Sequence, residues 1–289
     1  TTLGFPFKIS LNLWVSISMD WETSVSSLCI IYNDVLKSKL YSTIFLSSVI
    51  NKNKNKNIAF IFARGGSKGL SKKNIKDFHG KPLIAWTVEQ ALKTNIFESV
   101  IVSTDDDEIA GIAKEYGAKI PFSRPTELAS DTSNEWFSWK HSVENLDHDF
   151  HYNFVSLPCI SPLRSEEDII NTINFYEKNN FDLVFTIAIS DRSPYVNMVE
   201  FNSTGEVSLS KTIDSKKIYR RQDSPKIYNI VPSVYVTSPK YIKENESMWS
   251  GKLSGYEIPI SRSVDIDTYK DFKFAEMLFK EWKIKASKL

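Results

Sequence analysis

Past residue 58 the hydrophobic positions of this chain alternate between two patterns. Ile58-Ala59-Phe60-Ile61-Phe62 is a short unbroken apolar run, the form of a strand buried on both faces of a parallel sheet. A Gly-rich stretch follows. Residues 83–92 then place Ile84, Val88, Ala91 and Leu92 at helical spacing, so that one helix face meets a core. Residues 100–103 read as a strand and 107–116 as a helix. The pattern repeats with a strand at 154–157 and a helix at 166–178, for which Ser165 is the N-cap and Asp168 the third helical position. Residues 183–189 and 233–237 are further strands. Residues 268–282 close the regular part as an amphipathic helix with Phe272, Ala275, Phe279 and Trp282 on one face. Strands alternating with helices at this spacing predict an α/β fold built on a doubly wound, mostly parallel sheet.

Residues 1–57 lack such a period. They hold one glycine, Gly4, and end in the polar run Asn51-Lys52-Asn53-Lys54-Asn55-Lys56-Asn57, which reads as a linker. Their apolar stretches are short and follow no basic start, so they make a poor secretory signal. The chain is therefore read as an N-terminal extension, 1–57, and a domain, 58–289.

Composition narrows the picture modestly. With 289 residues, 42% hydrophobic and 25% charged, the chain can bury a core without disulfides or structural metal. A formal net charge of +1 gives no global field toward nucleic acid or membrane, so an anionic substrate needs a local cluster. No run of about 18 apolar residues marks a membrane span. Cys29 and Cys159 form no metal-ligand spacing, and a reducing cytoplasm is the expected compartment. Cys159, in an apolar run, reads as a small buried hydrophobe.

The strongest chemical signal is Ala63-Arg64-Gly65-Gly66-Ser67-Lys68-Gly69-Leu70-Ser71-Lys72-Lys73-Asn74, directly after the first strand. Glycines let a backbone turn sharply and approach a ligand, and successive N–H groups form an anion nest. Arg64, Lys68, Lys72 and Lys73 add the cations that a triphosphate requires. The loop is neither a GxxxxGK[ST] phosphate loop nor a GxGxxG fingerprint, but it occupies the place where α/β sheets bind ligands. Asp265 and Asp267 form a second pair. In an extended segment residues two apart face one side, so both carboxylates can address one hard cation. Asp267 can equally serve the start of the last helix. His148 and His151, with His79 and His141, make no clear ligand set. Trp136, Trp139 and His141 read as packing residues of a helix.

Taken in order, these pieces resemble the acylneuraminate (sialic acid) cytidylyltransferases. The resemblance runs through the loop, Gly80-Lys81-Pro82-Leu83-Ile84-Ala85-Trp86-Thr87, Val102-Ser103-Thr104-Asp105-Asp106 and Arg124-Pro125-Thr126-Glu127-Leu128-Ala129-Ser130-Asp131. Ser161-Pro162-Leu163-Arg164, Arg220-Arg221-Gln222-Asp223 and Asp265-Ile266-Asp267 complete it. It implies a Rossmann-like nucleotidyltransferase with a small dimerisation subdomain, the 183–210 region forming its start, and a homodimer. It implies transfer of CMP from CTP to an acidic nine-carbon sugar, with Mg²⁺ and loss of pyrophosphate, for surface glycans. By the same resemblance Ala63, Arg64, Gly65, Ser67, Lys73, Asn74 and Arg124 bind nucleotide, Arg124 near the base. Arg64, Lys73 and Asp267 are catalytic. Arg164, Arg221 and Gln222 face the sugar, the two arginines alternatively the phosphates, and Asp265 and Asp267 hold the metal.

The chain departs from that family in places. Pro158 stands where the family carries a glutamine, and Asn229-Ile230-Val231-Pro232-Ser233 replaces an Arg-Pro-Asn-Gly-Ala element. Both lie near the sugar in the family, so fewer polar groups of the acid are satisfied here. A deoxy nonulosonic acid of the legionaminic type is the expectation over ordinary sialic acid. Another base such as GTP, a 3-deoxy-octulosonate acceptor, and a nucleotide-binding protein without turnover remain open alternatives.

Overall fold

In the computed structural model, residues 56–146, 151–213 and 220–286 are described, without the side chains of Arg221 and 283–286. The extension expected at 1–57 lies outside them except for its last two residues. Those two belong to the first strand, β1 (Lys56–Phe62), and not to a linker. Asn57 is buried, its Oδ1 accepting from Asn153 Nδ2 at 2.9 Å.

The elements follow in order. After β1 come α1 (Leu83–Lys93), β2 (Phe97–Ser103), α2 (Asp107–Glu115), α3 (Glu135–Glu144), β3 (Tyr152–Ser156), α4 (Glu166–Lys178) and β4 (Leu183–Ile189). A small hairpin, β5 (Val199–Phe201) and β6 (Val207–Leu209), precedes β7 (Tyr228–Thr237), α5 (Pro239–Glu244), β8 (Leu253–Glu257) and α6 (Tyr269–Ala286). The main sheet has the order β2-β1-β3-β7-β4-β8. All its pairings are parallel except those of β7, which runs antiparallel to β3 and β4. The expected mostly parallel sheet is thus present. Because β2 lies on one side of β1 and β3 on the other, the chain reverses its direction of growth between β1 and β3. Loops after those strands splay apart there, and that crevice is where such sheets bind ligands.

The core explains the apolar runs. Ala59 and Ile61 face one layer with Ile84, Val88, Val155 and Ile169, while Ile58 and Phe60 face another with Trp136, Trp139 and Phe154. Covering both faces leaves no polar alternation in β1 or β3. Helix α1 is buried nearly all round, including Trp86 and Gln90, and Leu92 is instead exposed. Its neighbour is a tight hairpin in which Phe78 N donates to Lys81 O at 2.8 Å. His79 and Gly80 occupy its centre with φ of 52° and 85°, the mirror-image turn that favours glycine.

The helix at 166–178 keeps its expected bounds. Ser165 and Asp168 exchange side-chain and backbone hydrogen bonds in a capping box. Asp168 also takes a bidentate contact from Arg262 at 2.7 and 2.8 Å, which ties the segment before α6 to the start of α4. Phe272, Ala275 and Phe279 of α6 are buried against Phe78, Leu83 and Leu163, with Trp282 partly buried. Trp136 and Trp139 pack in α3 as expected.

Candidate active site

A cleft of about 520 Å³ opens at the crevice, bounded by the loop after β1, the segment before α3, the loop after β3 and the start of α6. Arg64, Ser67, Lys73, Asn74, Arg124 and Asp267 all line it. Residues nearly 200 apart in sequence are brought together: Lys73 Nζ donates to Ile266 O at 2.7 Å and pairs with Asp267 Oδ1 at 3.3 Å. Ile266 N in turn donates to Ile160 O at 2.9 Å, so the loop after β3 fixes the aspartate segment.

The glycine-rich loop is held from within. Asn74, buried, donates from Nδ2 to Arg64 O at 3.0 Å. Gly65 N donates to Asp105 Oδ1 at 3.2 Å and Ser67 N to Gly65 O at 3.0 Å. Ala63 is wholly buried with its N–H committed to Ser103 O at 3.1 Å, so that amide is not available to a nucleotide. Gly69 packs so closely on the Asp267 carbonyl that a Cβ would overlap it. Lys72, at the entry to a short 3₁₀ turn, adopts φ 51° and turns outward to Glu108 at 2.7 Å. Lys72 therefore leaves the cationic wall that the sequence assigns to it.

Each remaining cation already faces an anion. Arg64 Nη2 lies 2.9 Å from Asp131 Oδ1, and Lys68 contacts the other oxygen of the same carboxylate. These two cations hold the Asp131 carboxyl below its ordinary range, the Lys68 hydrogen bond leading. Arg124 is buried, 3.9 Å from Asp105 Oδ1. Desolvation lowers its pKa, partly opposed by Asp105 and Glu135.

The start of α6 excludes one of the two readings of Asp267. Thr268 and Asp271 cap the helix reciprocally, Thr268 N donating to Asp271 Oδ2 at 2.8 Å and Asp271 N to Thr268 Oγ1 at 3.3 Å. The Asp267 carboxylate is not the cap and turns to Lys73. Burial raises the Asp265 carboxyl, with the Asp267 charge as the next cause. The pair is thus set against itself across buried Ile266. Carboxylates are the donors that suit Mg²⁺, which takes one or two of them and fills the rest of its shell with other oxygens; Asp267 lines the cleft, while Asp265 lies outside its lining. Among the described residues no cluster of three or more metal-ligating side chains exists.

The sugar-side residues are not brought together. Arg164 is fully buried: Nη1 donates to Pro158 O at 3.1 Å and Ser233 O at 2.8 Å, and Nη2 to Gln90 Oε1 at 3.1 Å. Burial lowers its pKa to about 10, still charged at neutral pH. It ties the loop after β3 to β7 and α1, which corrects its expected place against sugar or phosphates. Gln222 lines a different cavity, of about 460 Å³, with Arg192 and Lys226. Arg221 opens a 3₁₀ turn, and its side chain lies outside the described residues.

Three contributors were not identified from the sequence. Asp131 lies in the quoted 124–131 element, yet its carboxylate shows no partner until Arg64 is placed. Asp105 belongs to another quoted element and acts on Gly65. Glu135 is legible only afterwards, as an acid one helical turn before Trp139. Cys159 is buried beside Arg164 with its thiol raised to about 12, as expected of a core position.

A cationic, Gly-lined cleft at a parallel-sheet switch point, with the Asp267 carboxylate on its wall, defines a nucleotidyltransferase. Residues 58–286 match the family model described as cytidylyltransferase, and the chain belongs to that family. It is 33% identical over 229 residues to post-translational flagellin modification protein B of Campylobacter coli, covering 78% of this chain and 96% of that protein. It is 31% identical to pseudaminic acid cytidylyltransferase of Campylobacter jejuni (78% and 97%). It is 32% identical to CMP-N,N'-diacetyllegionaminic acid synthase of the same species (75% and 92%). The solved CMP:2-keto-3-deoxy-manno-octonic acid synthetase complexed with CTP shares the fold, with TM-score 0.60 at 17% identity, covering 78% of this chain and 99% of that one.

Proposed function

We propose that the protein transfers CMP from CTP to the anomeric hydroxyl of a nonulosonic acid and releases pyrophosphate. The observation that carries this is the meeting of Arg64, Lys68, Lys73 and Asp267 in one cleft. Arg64 offers a planar fork and the lysines point charges to a triphosphate. The sugar oxygen attacks the α-phosphorus in line, its proton passing to solvent as the bond to pyrophosphate breaks. Positioning and charge stabilisation supply most of the acceleration. Lys73, 14% exposed, lies deep enough to act on charge developing at the leaving pyrophosphate.

Mg²⁺ held by Asp265 and Asp267 would supply further positive charge to the phosphates. The acid is read as a deoxy nonulosonic acid of the legionaminic or pseudaminic type. Support comes from the relatives' names and from the apolar Pro158 and Pro232, which stand at positions near the sugar by the family resemblance. The protein acts as a homodimer in the cytoplasm. The hairpin β5–β6 exposes Val199, Phe201, Val207 and Leu209, an apolar surface that a second copy would cover.

The test is pyrophosphate release with Mg²⁺, each of CTP, GTP, UTP and ATP, and a panel of acids. Release confined to CTP and a deoxy nonulosonic acid, and lost in Asp267→Ala, is expected. Turnover of N-acetylneuraminate equal to its deoxy relatives would refute the sugar assignment. Sedimentation of wild type and Phe201→Asp reads the dimer: a wild type that sediments as a monomer would refute it.

A further inference from the structure

The cleft is lined by two chemically different sets of side chains. Arg64, Lys68 and Lys73 are cations fit for phosphates. Arg124 and Glu135 set a cation beside an acid, and Phe62, Leu128 and Ser138 line the same cleft. Arg124 is 6% exposed, and its Nε and Nη2 are buried without a hydrogen-bond partner. Buried donors left unmet in a fold cost free energy, and a guanidinium has no acceptor capacity of its own. Its open N–H groups call for acceptor atoms from a ligand.

Glu135 is the first residue of α3, with Asn134 as the N-cap accepting from Trp136 N. Although the residue is exposed overall, its carboxyl turns toward α3. Trp139 Nε1 donates to Oε1 at 3.0 Å, an indole contact one helical turn away that fixes the carboxyl. Among the described residues no hydrogen bond holds Oε2. Desolvation raises this carboxyl, while Trp139 and Arg124 oppose the rise. The two side chains therefore sense one another, a donor fork and an acceptor on one cleft.

The family resemblance already implies Arg124 near the base; we propose that Glu135, on the same cleft, completes the reading of its hydrogen-bonding edge and is the residue that separates cytosine from uracil. Cytosine presents acceptors at O2 and N3 and a donor at its 4-amino group. Arg124 donates to the former, and Glu135 Oε2 accepts from the latter. Uracil reverses two of these three positions. Its O4 carbonyl would face the carboxylate, and its N3–H would face the guanidinium. A site built around a substrate N–H rejects an analogue lacking it far more strongly than a site of apolar contacts does. This inference rests on the proposed use of CTP.

The test is the ratio of kcat/KM for CTP to that for UTP, in wild type and in Glu135→Gln. The amide is nearly isosteric, keeps an acceptor for Trp139 Nε1 and can donate to O4. Wild type is expected to favour CTP by at least about 100-fold, and Glu135→Gln to reduce that preference by about tenfold or more, chiefly by gaining UTP. Equilibrium binding of CTP and UTP to both proteins reads the same ratio without turnover, and a melting curve for each checks folding. A folded Glu135→Gln with the wild-type ratio overturns the assignment of Glu135 and leaves the proposed reaction standing. A wild type that prefers GTP, or that neither binds nor turns over CTP, overturns both.

Discussion

Replacing Arg164 separates a structural brace from a sugar contact. Its guanidinium makes three hydrogen bonds, to Pro158 O, Ser233 O and Gln90 Oε1, at 2.8 to 3.1 Å. Gln90 itself donates to the carbonyls of Pro162 and Arg164, at 3.1 and 2.7 Å, so the side chain closes a network joining α1, the loop after β3 and β7. Bonds to a charged group contribute about 1.5–3 kcal/mol each, but burying the guanidinium costs several kcal/mol in return. Removing it strands three acceptors, those of Ser233 and Gln90 buried and that of Pro158 partly so; at about 1–3 kcal/mol for each stranded group, less the burial cost recovered, the net loss is about 3–5 kcal/mol. In a domain of this size that lowers Tm by roughly 10 °C. Arg164→Ala is expected to show the full loss, and Arg164→Lys about half of it, because one ammonium cannot span all three acceptors. Thermal melts of both, with KM for the acidic sugar measured well below Tm, decide the matter. If Arg164→Lys melts within about 1 °C of wild type while its sugar KM rises tenfold or more, the side chain contacts substrate and the brace is wrong.

Other expectations follow from single groups. Asp131→Asn removes the anion paired with Arg64 and Lys68 and should lower the KM for CTP by about two- to fivefold, exposed ion pairs being weak. A rise in KM would show instead that Asp131 positions Arg64. Cys159, buried with its thiol raised to about 12, should resist iodoacetamide at pH 8 and react only on unfolding, read by peptide mass spectrometry at that residue. Burial lowers the pKa of His141 from 6.5, so the folded state favours the neutral ring. Its contribution to stability is complete above 6.5 and is lost as pH falls through the lowered value. His141→Asn should flatten the fall in Tm between about pH 7 and 5, and an unchanged slope would exclude this group as its source.

Much of the fold was legible because burial writes itself into pattern. The runs at 58–62 and 154–157 have no polar alternation since the sheet is covered on both faces, and the caps Ser165 and Asp168 mark α4 by local chemistry. What escaped was set by distant partners. The pairing of β7 antiparallel between β3 and β4 leaves no local trace, because hydrophobic runs carry no direction. Strand β8 holds Gly255 packed on Ile187, so it lacks the β-branched signature of a strand. At the site, spacing alone left Asp267 divided between cation and cap. Only the reciprocal bonds of Thr268 and Asp271 decide against the cap. Arg164 misled for the opposite reason: an arginine after Ser161-Pro162-Leu163 advertises charge, and nothing local reveals three carbonyl-type oxygens gathered around it.

The same contacts bear on how a nearly neutral chain accepts a polyanion. Arg64 and Lys68 rest on Asp131, Lys73 on Asp267, and Arg124 lies near Asp105. No cation of the cleft stands uncompensated. Under the proposed function, nucleotide binding is then an exchange of carboxylate for phosphate. Its electrostatic gain is the difference between two ion pairs and not the whole of one. Exchange at Lys73 has a second consequence. The amine that turns to phosphate releases the Asp267 carboxylate, which already raises the Asp265 carboxyl through its charge. Freed from Lys73, the two carboxylates would repel more strongly, and a divalent cation held by them would gain affinity as the triphosphate arrives. Such coupling is reciprocal, so the metal would raise the affinity for the triphosphate by the same factor.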